Sequence, residues 1–386
     1  MKLPAFKLLS KEQDKVNNLP LSGSYLVIGP PGSGKTVVAL YRARMIQDQG
    51  EHTQLITYSR VLMGYIASGA DAEKIQAIAV TYHRWLERQY RDLYRTQPPR
   101  ASGATNSFKY DWQRIIKQVL EKPPPKGAIP YGIIDEGQDM PAQFYTVARW
   151  MTKNLTIFAD ENQRITEDQC TFDEIRRAAN IAADETGTFR LTKNYRNTRE
   201  IALLAQEFCT GLESDVAELP TRSGPPIVFK HHQAMAQSIL QIKRFHELNP
   251  SAEIGVLLPT KYLVKKFYHK LLYAIGNDDV VHHYYRNRAK PVGEPVFDVP
   301  GINVLTYASA KGLEFDVVFL PELQSMYFSD PTAGDFRMQF YVLISRARER
   351  LFMFYTGEKT RMLEHLEIVV RIAAEKAKES ADLVPF

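Results

Sequence analysis

Gly29-Pro30-Pro31-Gly32-Ser33-Gly34-Lys35-Thr36 has the residue types and spacing of a phosphate-binding loop, G-x-x-x-x-G-K-[ST]. Phosphates carry dense negative charge, and glycines let the backbone wrap them so that several N–H groups point inward at a helix N-terminus. Lys35 can reach the β- and γ-phosphates of a nucleoside triphosphate, and Thr36 can offer its hydroxyl to Mg2+. Further along, Tyr131-Gly132-Ile133-Ile134-Asp135-Glu136-Gly137-Gln138-Asp139 presents two adjacent acids behind an apolar run. Asp135 can hold Mg2+, directly or through water, and Glu136 can accept a proton from an attacking water. The acid pair alone is a weak signal. Behind a complete phosphate loop it is a strong one, and the two together point to a site for nucleotide phosphates and Mg2+.

The elements that must position these residues are legible as apolar runs. Tyr25 to Ile28 reads as a buried strand feeding the loop, and Val37 to Tyr41 as the helix that follows, which Gly50 can end. Gln54 to Tyr58, Ala77 to Thr81 and Leu155 to Ala159 read as further strands. Ligands of open parallel sheets gather at the carboxyl ends of the strands. Thr57-Tyr58-Ser59-Arg60, Thr81 with His83, and Thr306 stand at such ends and are candidate nucleic-acid contacts, although each reads equally as an ordinary strand-to-helix turn. Asp160-Glu161-Asn162-Gln163 ends another strand, where Gln163 could sense a γ-phosphate or orient water. Ser10 and Gln13 fit a capping box, and the Gln13 amide could equally read an adenine edge. Asn197 reads as the N-cap of a helix carrying Ile201, Leu204 and Phe208, which puts Arg196 beside a helix start.

In the second half, strands are expected at Ile227 to Phe229, Ile254 to Leu258, Ile302 to Thr306, Val317 to Leu320 and Leu351 to Tyr355. Helices are expected at Lys261 to Tyr273, at Gln339 to Arg350 with Ser345-Arg346-Ala347-Arg348 upon it, and at Met362 to Ala377. Strand–helix alternation in both halves predicts an α/β fold of two parallel sheets. The first lobe is placed at residues 1–190, with a reduced insert at about 86–128, and the second at 191–386.

Composition bounds the partners. The 386 residues are 44% hydrophobic and 24% charged, ordinary for a globular protein, and the net charge of +5 permits a polyanionic partner without demanding one. Cys170 and Cys209 have no C-x-x-C spacing, so neither a zinc site nor a disulfide framework is suggested. The first residues lack a signal-peptide core and no apolar run would span a membrane, so a cytoplasmic protein without membrane contact is expected. Arg84, Arg88, Arg91 and Arg95 form one helical stripe that reads evenly as a phosphate-tracking face or a solvated one. His282 to Arg288 mixes aromatic and basic side chains and reads as a stacking segment or an edge strand. Its histidines lack a partner pair, so no metal is assigned to them.

Taken together and in this order, the motifs resemble the superfamily 1 helicases of the UvrD/Rep type, across nearly the whole chain. Gln13 matches the family's adenine-reading glutamine, Gly29 to Thr36 its phosphate loop, Asp135 to Asp139 its acidic motif, and Asp160 with Gln163 its coupling motif. Asn194-Tyr195-Arg196 resembles the N-Y-R signature, whose tyrosine stacks on adenine and whose arginine contacts the γ-phosphate. Thr306 with Lys311-Gly312-Leu313-Glu314-Phe315 matches K-G-L-E-F, whose glutamate contacts the ribose. Tyr341-Val342 with Ser345-Arg346-Ala347 resembles Y-V-x-x-T-R-A, whose arginine is a second finger. The resemblance implies two RecA-like lobes with the nucleotide in the cleft between them. It makes Lys35, Asp135, Glu136, Gln163, Arg196 and Arg346 the catalytic set. Gln13, Gly29, Gly32, Ser33, Gly34, Lys35, Thr36, Tyr195 and Glu314 bind ATP, and Thr36 and Asp135 hold Mg2+.

Three departures bear on function. No aromatic residue follows Gln163 in Arg164-Ile165-Thr166-Glu167-Asp168, Ala308 stands where the family has histidine, and the stretch between Ile275 and Gly301 is too short for the large second-lobe insert. The expected function is an ATP-driven single-stranded-DNA motor, with RNA left open as the strand. The alternative is a nucleotide-gated DNA-binding or sensing subunit that works with a protein partner, such as a nuclease or defence subunit, without unwinding on its own.

Overall fold

The computed structural model describes residues 9–58, 78–101, 109–125, 129–163, 169–209, 217–285, 292–293, 296, 299–328 and 330–382. Ser59, Arg60, Arg164 to Asp168 and Arg286 to Arg288 lie outside the described residues. The chain divides between Thr192 and Lys193 into two units.

In the first unit the apolar runs are continuous rather than alternating, as strands covered on both faces require. Leu26, Val27 and Ile28 of β1 (Ser24–Ile28) and Ile133 and Ile134 of β4 (Ile129–Asp135) are all buried. With β2 (Thr53–Thr57), β3 (Ala79–Thr81), β5 (Thr152–Ala159) and β6 (Thr188–Arg190) they form a wholly parallel sheet in the order β3-β2-β4-β5-β1-β6. Its helices are α1 (Lys11–Asn17), α2 (Lys35–Asp48), α3 (Tyr82–Tyr94), α4 (Trp112–Glu121), α5 (Ala142–Met151) and α6 (Phe172–Ala179). Residues expected to belong to a reduced insert are core here. Leu86 and Tyr90 of α3 and Ile115 and Val119 of α4 are buried with Phe144 and Tyr145 of α5.

The second unit repeats the plan. Strands β7 (Val228–His232), β8 (Glu253–Leu258), β9 (Val281–Tyr284), β10 (Gly301–Thr306), β11 (Phe315–Leu320) and β12 (Ala347–Thr356) lie parallel in the order β7-β12-β11-β8-β10-β9. Helices α7 (Arg199–Gln206), α8 (Met235–Leu248), α9 (Lys261–Ile275), α10 (Tyr307–Ala310), α11 (Gly334–Ile344) and α12 (Arg361–Asp382) accompany them. Two sheets of six parallel strands with interspersed helices make an α/β fold of two RecA-like lobes. Gly255 admits this packing, since a Cβ there would lie 2.4 Å from the Phe315 ring.

Two sequence expectations change, and one open alternative is decided. The helix expected over Gln339 to Arg350 ends at Ile344, and Ala347 to Thr356 is strand. Ladder pairing with β11 and β7 on both sides outweighs the helical propensity of Arg-Glu-Arg-Leu. Thr198, not Asn197, occupies the N-cap of α7. The Asn197 amide instead donates to Ala347 O at 2.5 Å and Ser345 O at 3.4 Å, pinning the start of β12. His282-His283-Tyr284 is edge strand, paired only with β10 among the described residues.

Arg42 holds the first unit's entry together. It is 1% exposed and has no carboxylate partner among the described residues. Its guanidinium donates to Asn17 O (3.1 Å), Leu19 O and Pro20 O (both 3.0 Å) and the Thr156 hydroxyl (3.0 Å). The carbonyl cluster after α1 thus takes the place of an anion, while burial pulls the Arg42 pKa down. Arg42→Met removes donors from carbonyls that cannot turn to water. It should cost about 3 kcal/mol or more of first-unit stability, read as a lower midpoint in urea unfolding. An unchanged midpoint would contradict this assignment.

Candidate nucleotide-binding site

The phosphate loop leaves β1 at Ile28 and enters α2 at Lys35. Gly34 caps that helix at φ +87°, and a Cβ there would lie 2.3 Å from the Gln13 amide nitrogen. Only glycine fits both the angle and the contact. Gln13 serves two purposes at once. Its Oε1 accepts from Ser10 N at 3.0 Å as half of a capping box, and its Nε2 donates to Ser33 O at 2.9 Å. Ser33 is buried, its hydroxyl donating to Pro30 O at 2.8 Å. Lys35 is folded over its own loop, donating to Gly29 O (2.5 Å) and Pro30 O (3.0 Å), with Asp160 Oδ2 at 3.5 Å. Glu12, which sequence reasoning passed over, ties α1 to the end of the unit. Its carboxylate accepts from Thr192 N (2.9 Å) and the Thr192 hydroxyl (2.7 Å).

The acidic motif closes the other side. The Thr36 hydroxyl donates to Asp135 Oδ2 at 2.8 Å. Asp135 Oδ1 is buried with no hydrogen-bond partner. Burial first, and the Glu136 charge second, push the Asp135 pKa up to about 7, against the pull of the Thr36 hydroxyl and of Lys35. Glu136 sits in the left-handed region at φ +56°, the sharp turn by which β4 hands over to the 3-10 turn Gly137–Asp139. Gln138 links the two motifs, donating to Glu136 Oε2 at 2.5 Å and accepting from Asp160 N at 2.9 Å. Gln163 donates to Asp160 Oδ2 at 2.8 Å. The network therefore joins Lys35, Glu136, Gln138, Asp160 and Gln163. Gln138 lay in the quoted motif, but its role depends on β4 and β5 being neighbours. A hard divalent cation fits beside Thr36 and Asp135, because a hydroxyl and a carboxylate with an unsatisfied buried oxygen are the donors Mg2+ prefers.

The second-unit candidates group around Glu314. Its Oε2 lies 2.5 Å from Arg196 Nε, an ion pair without hydrogen-bond alignment, and its Oε1 lies 3.5 Å from Arg348. Arg348 also meets Asp316 at 3.0 Å and Glu253 at 3.5 Å. In the sequence Arg348 stands two residues after Arg346, with nothing local to mark it as a partner of Glu314. Tyr195 is 50% exposed, so a face is open for stacking. Arg346 is buried, donating to Val342 O (2.9 Å), Leu313 O (3.2 Å) and the Ser345 hydroxyl (3.1 Å). Thr306 precedes α10, its hydroxyl 2.8 Å from that of Ser309.

Of the expected nucleic-acid contacts, Thr57 pairs in register with Thr81 across β2 and β3. Thr57 is fully buried, so it offers no surface to a ligand. Tyr58 stacks on Tyr82 at 5.6 Å and 14°, and His83 lies 3.8 Å from Tyr82 and 5.7 Å from Tyr110. Tyr58 and His83 are thus partly accessible members of an aromatic cluster.

The Asp135 shift has a sign that can be tested. A buried acid with a raised pKa binds its proton more tightly folded than unfolded, so stability falls as pH rises from about 4 to about 7. Asp135→Asn removes that penalty while keeping an oxygen for Thr36. The variant should melt about 5 °C or more above the parent at pH 8 and level with it at pH 4. Equal melting temperatures at both pH values would refute the buried charge.

Comparison with known proteins agrees with these motifs. The family profile for the UvrD-like helicase C-terminal domain matches residues 293–358, and that for an AAA domain matches residues 13–169. The "Putative ATP-dependent DNA helicase" of Acanthamoeba polyphaga mimivirus is 26% identical over 239 residues, covering 57% of this chain and 33% of that protein. The chain thus spans about a third of that relative's length. A crystal structure of the C-terminal domain of a possible DNA helicase from Lactobacillus plantarum WCFS1 overlaps 45% of this chain and 95% of its own, at 18% identity and a TM-score of 0.33. Residues 13–169 thus match an AAA domain and residues 293–358 a UvrD-like helicase C-terminal domain, and in this order the two matches make the chain similar to the UvrD-like superfamily 1 helicases.

Proposed function

We propose that the chain is an ATP-dependent nucleic-acid motor, a single-stranded-DNA translocase or helicase that hydrolyses ATP with Mg2+. One observation carries this reading: the Thr36 hydroxyl hydrogen-bonded to the buried Asp135, with Glu136 next in the chain. Gly32 to Thr36 supply backbone N–H groups to the phosphates, and the Lys35 ammonium exchanges the Gly29 and Pro30 carbonyls for phosphate oxygens. Mg2+, held by Thr36 and Asp135, would offset charge on the transferring phosphoryl group. Glu136, oriented by Gln138, takes the proton of the attacking water. Gln163 reports phosphate occupancy through Asp160. Tyr195 and Gln13 face the base, Glu314 the ribose, and Arg196 and Arg346 act as fingers on the transition-state charge. Arg196 must then leave Glu314, and Arg346 its carbonyls, before either acts. Tyr58, Ser59, Arg60, Thr81, His83 and Thr306 are proposed to grip the strand.

Glu136→Gln keeps the shape but cannot take a proton. It should bind ATP normally and hydrolyse it about 10²–10⁴-fold more slowly, whereas Lys35→Ala should lose both. Parental turnover by Glu136→Gln would show the base to be misassigned.

The short passage from β9 to β10 favours a second reading, a nucleotide-gated subunit that leaves strand separation to a nuclease or defence partner. A stacked base is worth roughly 1–3 kcal/mol, and no aromatic follows Gln163 closely in sequence. On a forked duplex at saturating ATP, the isolated chain should turn over ATP yet unwind poorly. Multi-turnover unwinding of a long duplex by the chain alone would contradict this.

A further inference from the structure

Helix α9 buries Leu263, Val264, Phe267 and Leu271 against its own unit. The remaining positions are unusual. Lys261, Lys265, Lys266, His269 and Lys270 are exposed, and α9 contains no Asp or Glu. Several lysines on other helices have carboxylate partners, as in Lys117–Glu121, Lys243–Glu247 and Lys376–Glu207. Among the described residues, none of the four α9 lysines forms an ion pair, although the Lys266 charge partly opposes the rise that burial causes in the Glu322 pKa. Lys261–Lys265 and Lys266–Lys270 stand at i,i+4, where like charges oppose the helix. Two tyrosines share the solvent side, Tyr262 at 69% and Tyr273 at 93% exposed. Lys266 lies 5.7 Å over the Tyr262 ring, and Lys265 lies 5.8 Å over that of Tyr285 on the neighbouring edge of the sheet.

We propose that the exposed face of α9 is a nucleic-acid-binding surface. Its lysines meet the phosphate backbone and Tyr262 and Tyr273 offer rings to unstacked bases. This adds a second contact to the strand grip proposed above and rests on that nucleic-acid reading. Unpaired lysines without acids complement a polyanion, and releasing its counterions supplies the free energy. Exposed tyrosines suit single strands, whose bases have open faces. A solvated face would gain nothing from clustering like charge, whereas a phosphate backbone relieves that repulsion.

The test is the salt dependence of binding to a fluorescent oligothymidylate. It compares the parent, a triple variant Lys261→Gln/Lys265→Gln/Lys270→Gln, and the charge-retaining triple Lys→Arg at the same positions. Each single-strand phosphate contact contributes about 0.7 to the slope of log K against log salt. The glutamine triple should therefore flatten the slope by about 2, and the arginine triple should keep it, with unchanged melting temperatures. An unchanged slope in the glutamine triple overturns the surface while leaving the motor intact. A parent that binds no strand overturns both. If the glutamine triple loses affinity for poly-glutamate but keeps its oligothymidylate slope, the face serves an acidic protein and the inference fails.

Discussion

Negative charge buried at the carboxyl end of β4 is the constraint on which the first unit depends. Asp135 and Glu136 are adjacent, and both are more than nine-tenths buried. Two carboxylates so placed cannot both ionise freely without compensation. The chain supplies some of it through the Thr36 hydroxyl and the Lys35 charge, and Gln138 holds Glu136 in place. What is left over is an oxygen of Asp135 without a partner. Burying that charge is costly on its own, and a bound cation would offset it.

The same strand-end device occurs twice. Glu322 follows β11 as Glu136 follows β4. Each takes a left-handed conformation before a 3-10 turn, and each accepts from a glutamine two residues on. Glu322 Oε1 is likewise buried without a hydrogen-bond partner, and burial raises its pKa. Yet the strand before α8 leads through His231-His232-Gln233-Ala234 rather than a glycine-rich loop. A turned-out glutamate is thus a property of the sheet architecture. Chemistry needs the phosphate loop as well, which only the first unit has.

This explains what was legible in the sequence. The phosphate loop and its flanking strand and helix are local, so glycine spacing and apolar runs sufficed to place them. The parallel sheets followed from alternation of strand and helix. The bridge from Gln138 to Asp160 was not readable, because it depends on which strands become neighbours. The partners of Asn197 and the inward turn of Arg346 were hidden for the same reason: both are set by carbonyls at the junction of α11 and β12, which local pattern assigned to one long helix. Burial of Thr57 was obscured because strand-end position says nothing about what packs above it.

Steady-state ATP turnover by the unmodified chain with Mg2+, measured across rising concentrations of single-stranded DNA, tests the central claim most directly. Turnover should be slow without strand and should show a saturable, several-fold rise with it that weakens as salt increases. Turnover that never responds to DNA or RNA at low salt, or no turnover at all, would contradict it.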